Sequence, residues 1–238
     1  MKIAIDVALV LILLLCAWIG YRKGLVAGIG GLLAIAVSLY ASTMLANTFS
    51  NELVPVLYPF ASGYMESLMS NEVSEALGIA ESNLSLDDYF AGHPEQLEEF
   101  CVESYRAIGI YETEAERLAE QAMDCFESTG LPIRSAVVQI LCENIAHIGI
   151  LLIGALLILI LLTAIANIPN LSFRIPNRDI LNDVGGAITG LLRGVVFCMA
   201  IVWVLSYLGI VIGSSTMGST ILAKIVAKVN VLSWILGL

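Results

Sequence analysis

Residues 148–166 run without a single charge, and Thr163 is their one polar side chain. A helix of that length matches the roughly 30 Å hydrocarbon core of a bilayer. A chain that carries such a run must bury it in lipid or in a large core. Three further runs repeat the pattern. Residues 3–19 are apolar except for Asp6, residues 25–46 follow a short basic turn, and a last run spans about 189–210. The sequence therefore predicts an all-α membrane protein with four transmembrane helices arranged as two hairpins.

Composition fits this reading because the charge is segregated. The chain is 58% apolar with mean hydropathy +0.90, yet its net charge is −10. Of 21 acids, 18 lie between Glu52 and Glu143, and only Arg106, Arg117 and Arg134 accompany them. No basic stripe is present to neutralise phosphates, so nucleic acid is excluded as a partner. The lipid bilayer is the partner that the composition implies.

The predicted organisation is a first hairpin over 1–47 (spans 3–19 and 25–46) and an acidic helical insert over 48–131. A second hairpin follows over 132–212 (spans 146–166 and 189–210), then an amphipathic interfacial helix over 213–238. Residues 47–59 are expected to break the helical pattern, because Pro55 and Pro59 oppose a continuous helix. Within the insert, Ser85 is placed as the N-cap of a helix over 86–91, and Pro94 opens a helix over 95–107. Gly109 turns a hairpin. Thr113 with Glu116 forms a capping box, and Gly130 ends that helix. The acids of the insert are read as a solvated face. Pro132 opens a long helix, and residues 167–185 are a polar connection. Glu143 and His147 stand one helical turn apart, read as two polar groups at the membrane edge, with a shared proton or metal as the other reading; with His93 the one other histidine, the ligands are too few for a zinc site. Cys101 and Cys125 are either bridged or free thiols. A cleaved signal peptide fits residues 3–19 poorly, since Arg22 and Lys23 follow the apolar run rather than precede it.

Short loops carry the orientation signal. Arg22 and Lys23 lie in the first, and Arg174, Arg178 and Arg193 lie in or beside the third. Both are predicted to be cytoplasmic, which puts the N- and C-termini and the insert on the extracytoplasmic side.

Glycine spacing is the most specific pattern. Gly20, Gly24 and Gly28 recur at four residues, as do Gly186, Gly190 and Gly194. That interval places each set on one helix face, where another backbone can approach closely. Each set carries a basic–glycine step, Lys23-Gly24 and Arg193-Gly194, read as opening a span. The recurrence fits either a parallel internal repeat or convergence on one way to start a close-packed helix. Whether the glycine faces meet within one chain or between chains stays open. Arg193 is expected to snorkel or to meet a lipid phosphate.

These residues together resemble the CvpA family, the colicin V production proteins of bacterial inner membranes. The resemblance rests on Asp6 early in the first span, the turn from Gly20 to Gly24, and Asn182, Gly186, Gly190, Arg193 and Gly194 at the last. Asp183 departs from the family pattern, which has a basic residue there. The match covers about 1–47 and 145–212. It implies a multi-pass bacterial plasma-membrane protein that supports toxin production or export, or envelope homeostasis. No nucleophile–base pair, metal cluster or phosphate loop is apparent, so the expected function is non-enzymatic and needs no cofactor. Assembly with copies of itself or with other membrane proteins is the first reading; an oligomeric channel or transporter component is the alternative.

Overall fold

In the computed structural model, residues 2–79, 86–167 and 179–207 are described; every regular element among them is helical. The elements are α1 (Lys2–Lys23), α2 (Leu25–Leu68), a π-turn (Met69–Val73), α3 (Ser74–Ala76), α4 (Leu86–Gly92), a 3₁₀ turn (Pro94–Gln96), α5 (Leu97–Ala107), α6 (Glu112–Thr129), α7 (Ile133–Asn167) and α8 (Asp179–Tyr207). Three helical stretches are long and apolar enough to cross a membrane: Leu25–Ala76, Ile133–Ile165 and Asp179–Val202. They define the class as a helical membrane protein. The C-terminal amphipathic helix, the Ser85 cap and the loop arginines Arg174 and Arg178 lie outside the described residues.

Contacts divide the chain into two compact units. One contains Met1–Ala46 and Ile150–Val204, the other Asn47–Gly149. In the first, α1 and α2 form a hairpin closed by one residue. Gly24 adopts φ +83°, in the left-handed region that side chains rarely enter, and this reverses the chain between Lys23 and Leu25. The i→i−4 bonds continue on both sides of the turn: Gly24 donates to Gly20 and Gly28 donates to Gly24, both at 3.0 Å. Large apolar side chains such as Ile153, Leu157 and Ile160 of α7 stay exposed on the protein, as lipid-facing residues do.

The second unit has a core of the soluble kind. Phe100, Cys101 and Tyr105 of α5, Leu118 and Ala122 of α6, Val137 and Cys142 of α7, and Met65 and Met69 at the end of α2 and in the π-turn are fully buried together. Phe100 and Phe90 pack with ring centroids 4.8 Å apart. The buried Tyr105 hydroxyl donates to the Val137 carbonyl at 3.0 Å, tying α5 to α7. Gly109 (φ +87°) turns the α5–α6 hairpin and Gly130 (φ +67°) ends α6, as expected from the sequence.

Three expectations are corrected. First, α2 is one helix of 44 residues with Pro55 and Pro59 inside it. The prolines are four apart and both exposed, so the backbone groups that they leave unpaired share one solvent-accessible face rather than a buried one. Second, the Thr113 capping box does not form. Tyr111 is the N-cap without a side-chain bond, its carbonyl accepts from Glu114 and Ala115 at 3.0 and 2.9 Å, and Thr113 lies inside the helix. Third, α8 begins at Asp179, well before the expected start of the last span, so Gly194 lies in mid-helix while Gly24 is a turn. The two basic–glycine steps are therefore not the same structural device. The insert also borrows the first half of α7, whose Ile133, Val137 and Leu141 complete its core.

All five cysteines are free thiols. Burial, with a smaller contribution from Glu98, pushes the Cys101 thiol up to about 12. The unfolded chain's thiol ionises from about pH 9 while the folded one stays protonated to about 12, so the folded state retains a proton across that window and loses stability as pH rises through it. At pH 8 the folded thiolate fraction is about 10⁻⁴, against about 0.1 for a thiol near pH 9. A maleimide at pH 8 is therefore expected to spare Cys101 in the native chain and to label it within the same time after Leu118→Ala, a substitution that opens this core at a cost of about 2–5 kcal/mol. Equal labelling of Cys101 in both proteins would contradict this core.

Candidate functional site

The glycine faces meet within the chain, across α1, α2 and α8. A methyl group placed at Gly20 would collide with the Gly186 carbonyl oxygen and lie 2.7 Å from the Gly190 Cα. One at Gly190 would collide with the Cys16 carbonyl and lie 2.9 Å from the Gly20 Cα, and one at Gly186 would collide with the Gly20 carbonyl and lie 3.0 Å from the Gly24 Cα. At Gly194 it would be 3.0 Å from the Cys16 Cβ and 3.3 Å from the Leu13 Cα. Each of these contacts is with a backbone atom or a Cβ, which cannot rotate away. Numbers fall along α1 as they rise along α8, so the two helices are antiparallel. The seam continues to Cys198, whose thiol donates to the Leu9 carbonyl at 3.7 Å.

An adjacent stripe of α8 faces α2. Leu25 lies against Gly185, Thr189 fills the space beside Gly28, and Arg193 Nη1 would lie 3.2 Å from a methyl at Gly31. Here numbers rise together, so α2 runs parallel to α8. Thus α8 presents Gly186, Gly190, Gly194 and Cys198 to one arm of the first hairpin and Gly185, Thr189 and Arg193 to the other, each series at four-residue intervals. Thr189 can sit in this tight place because its hydroxyl is satisfied locally, donating to the Gly185 and Gly186 carbonyls at 3.0 Å each. Asn182 is buried at the same end, with its Cβ 3.9 Å from a methyl at Gly24.

Beside the seam is a cavity of about 250 Å³ lined by Cys16, Ile19, Gly20, Lys23, Ala27, Gly28, Thr189, Gly190, Arg193 and Phe197. Two cations and no carboxylate face it. The Arg193 guanidinium carbon is 5.5 Å from the centroid of the Phe197 ring, a distance at which the ring face attracts a cation. Among the described residues neither Lys23 nor Arg193 takes part in an ion pair.

The structure thus brings Gly20, Gly24, Gly28, Asn182, Gly186, Gly190, Arg193 and Gly194 into one cluster. Asp6 stands apart from it, early in α1. The Asp6 carboxylate is half-buried beside Val7 and Val10, and its Oδ1 is buried without a hydrogen-bond partner. Glu143 Oε1 accepts from Gln139 Nε2 at 2.9 Å, and His147 Nε2 is buried without a hydrogen-bond partner. Sequence reasoning did not place Thr189, Gly31 or Phe197 at the site, and it read Lys23 only as a loop charge and part of a basic–glycine step. The signal was present for two of them: Thr189 and Phe197 continue, with Gly185 and Arg193, a four-residue interval along α8, but that spacing is conspicuous in the sequence only for the glycines. An open groove between α5 and α6, lined by seven acids together with Arg106 and Arg117, is the solvated acidic face expected of the insert.

Comparisons with protein-family models, with curated proteins and with solved structures return no match.

Alanine at the seam must separate two backbones, so Gly190→Ala and Gly20→Ala are each expected to cost about 1–3 kcal/mol, net of the better helix propensity of alanine. Gly30 and Gly149 have nothing within 4 Å of an added methyl. Gly30→Ala and Gly149→Ala are therefore expected to be neutral or slightly stabilising. Thermal unfolding of the four variants in one detergent checks this, and similar losses at Gly30 and Gly190 would refute the seam.

Proposed function

We propose that the chain is a four-span, non-enzymatic membrane protein resembling the CvpA family, with α1 as its first span. In this reading it sits in a bacterial plasma membrane with its termini and the acidic insert outside, and it supports toxin production or export, or envelope homeostasis, through helix–helix assembly. The carrying observation is that the residues of the resemblance at Gly20, Gly24, Asn182, Gly186, Gly190 and Gly194 converge in one packed seam. Residues that share a pattern in sequence and a contact in space act as one unit.

The seam is occupied by the chain's own helices, so partners dock elsewhere. The outward apolar faces of α2 and α7, with Val37, Tyr40 and Met44 on one and Ile153, Leu157 and Leu161 on the other, are the surfaces left for lipid or for other spans. One observation favours the alternative of a channel or transporter component: the buried, unpaired Asp6 Oδ1. An ionisable group in a span is costly unless it has work to do.

Two measurements test the proposal. Alkaline phosphatase fused after Gly109 is expected to be active and the same reporter after Lys23 inactive; the reverse pattern would invert the topology. In a bacterium lacking its CvpA protein, this chain is expected to restore colicin V production, and Gly190→Leu to abolish that rescue. No rescue, together with ion flux in reconstituted vesicles that Asp6→Asn removes, would replace the first reading by the second.

A further inference from the structure

We infer that the cavity between Lys23 and Arg193 is a binding site for a phosphate group, with an apolar chain or ring lying against Phe197, Ile19 and Ala27. The inference does not depend on the CvpA resemblance.

Four features of the first unit support it. The cavity is lined by two cations from different helices and by no acid, so its field has one sign. Arg193 is half-buried, and among the described residues no carboxylate neutralises it. A guanidinium removed from bulk water without a counter-charge is expensive, and the Phe197 ring returns only about 0.5–2 kcal/mol of that cost. An anion in the cavity removes the cost directly. Finally, three of the residues that line the space are glycines, which put no side chain into it. Gly20, Gly28 and Gly190 line it, and at each a methyl group would meet a neighbouring helix. The opening therefore cannot be filled by substitution at these positions without disturbing the seam.

Phosphate suits this geometry better than a carboxylate. Its oxygens are tetrahedrally arranged and can accept from two cations that approach from different directions, a fork from Arg193 and a point charge from Lys23. At about 250 Å³ the cavity is below the roughly 300–1,000 Å³ of drug-sized ligand sites, so it takes a headgroup fragment and not a whole amphiphile. Thr189 contributes shape rather than a donated bond, since its hydroxyl proton is committed to α8 carbonyls. Two sources can supply the group: the phosphodiester of an anionic lipid or free phosphate.

The test uses the full chain purified in an uncharged detergent. Short-chain phosphatidylglycerol, short-chain phosphatidylcholine and inorganic phosphate are titrated separately, with Trp fluorescence giving affinity and native mass spectrometry giving stoichiometry. The expected result is saturable one-to-one binding of phosphatidylglycerol, weakened about tenfold or more by Arg193→Gln and by Lys23→Gln and only partly by Arg193→Lys. Arg22→Gln removes a cation from the same helix end that does not line the cavity. It is expected to change affinity by less than about twofold, the size of a screened surface effect. Competition by inorganic phosphate at similar concentration assigns the site to free phosphate; its failure to compete assigns it to lipid. If Arg193→Gln does not fold, Lys23→Gln decides, because Lys23 is exposed and packs in no core. Binding that is unchanged in Lys23→Gln, or weakened equally by Arg22→Gln, overturns the inference.

Discussion

The first unit depends on one constraint: three helices must approach so closely that two backbones touch. Lipid tails are as apolar as leucine, so burying leucine against leucine inside a bilayer gains little. Close van der Waals contact between backbones is what remains, and it requires that Cβ atoms be absent where the helices cross. Gly20, Gly186 and Gly190 meet that requirement with no slack, since a methyl at any of them strikes a carbonyl. The turn at Gly24 is part of the same device. Its positive φ reverses the chain within one residue, so α1 and α2 arrive at α8 as a pair in opposite directions. A longer loop would let the arms spread and would separate the stripe of α8 that faces α1 from the stripe that faces α2.

Two helices are each asked to satisfy two solvents. The first half of α7 supplies Ile133, Val137 and Leu141 to a core whose other walls are the amphipathic α5 and α6, while its second half is apolar on every side. The hydrophobic effect holds the former together and cannot hold the latter, where the exterior is lipid. The transition falls near Gly149, the end of the second compact unit. The α2 helix makes the same passage in the opposite order, and its prolines lie beyond the boundary, within the second unit, on an exposed face that can leave backbone carbonyls accessible.

Where one physical term dominates, the sequence was legible. Apolar runs set the long helices, four-residue glycine spacing set the packing face, and Gly109 and Gly130 set turns that only positive φ allows. The misreadings fall where two terms compete. Pro55 and Pro59 argue for a break by local sterics, but continuity of a long helix and an exposed face outweigh the two lost hydrogen bonds. Thr113 and Glu116 have the spacing of a capping box, yet the Tyr111 carbonyl accepts from Glu114 and Ala115, so the helix begins earlier, at Glu112. Thr189 was not seen, and Lys23 was read only as a loop charge and a basic–glycine step, because nothing in the sequence says which helix α8 will face. A spacing identifies a face; only the fold identifies its partner.

The same reasoning explains why a cation is found beside a surface built for close contact. A seam of glycines brings backbones together along its line, but the helices diverge at its edges, and the space so created has to be filled or solvated. The edge of α8 that carries Thr189 and Arg193 shows both solutions. Thr189 fills the gap at Gly28 and satisfies its own hydroxyl. One turn further on, the gap at Gly31 is occupied by the end of a long side chain that carries charge into a largely apolar pocket. Leucine would fill that volume without an electrostatic cost. An arginine leaning on Phe197, with Lys23 on the same cavity, is consistent with a gap that holds an anion and not merely one that has been closed.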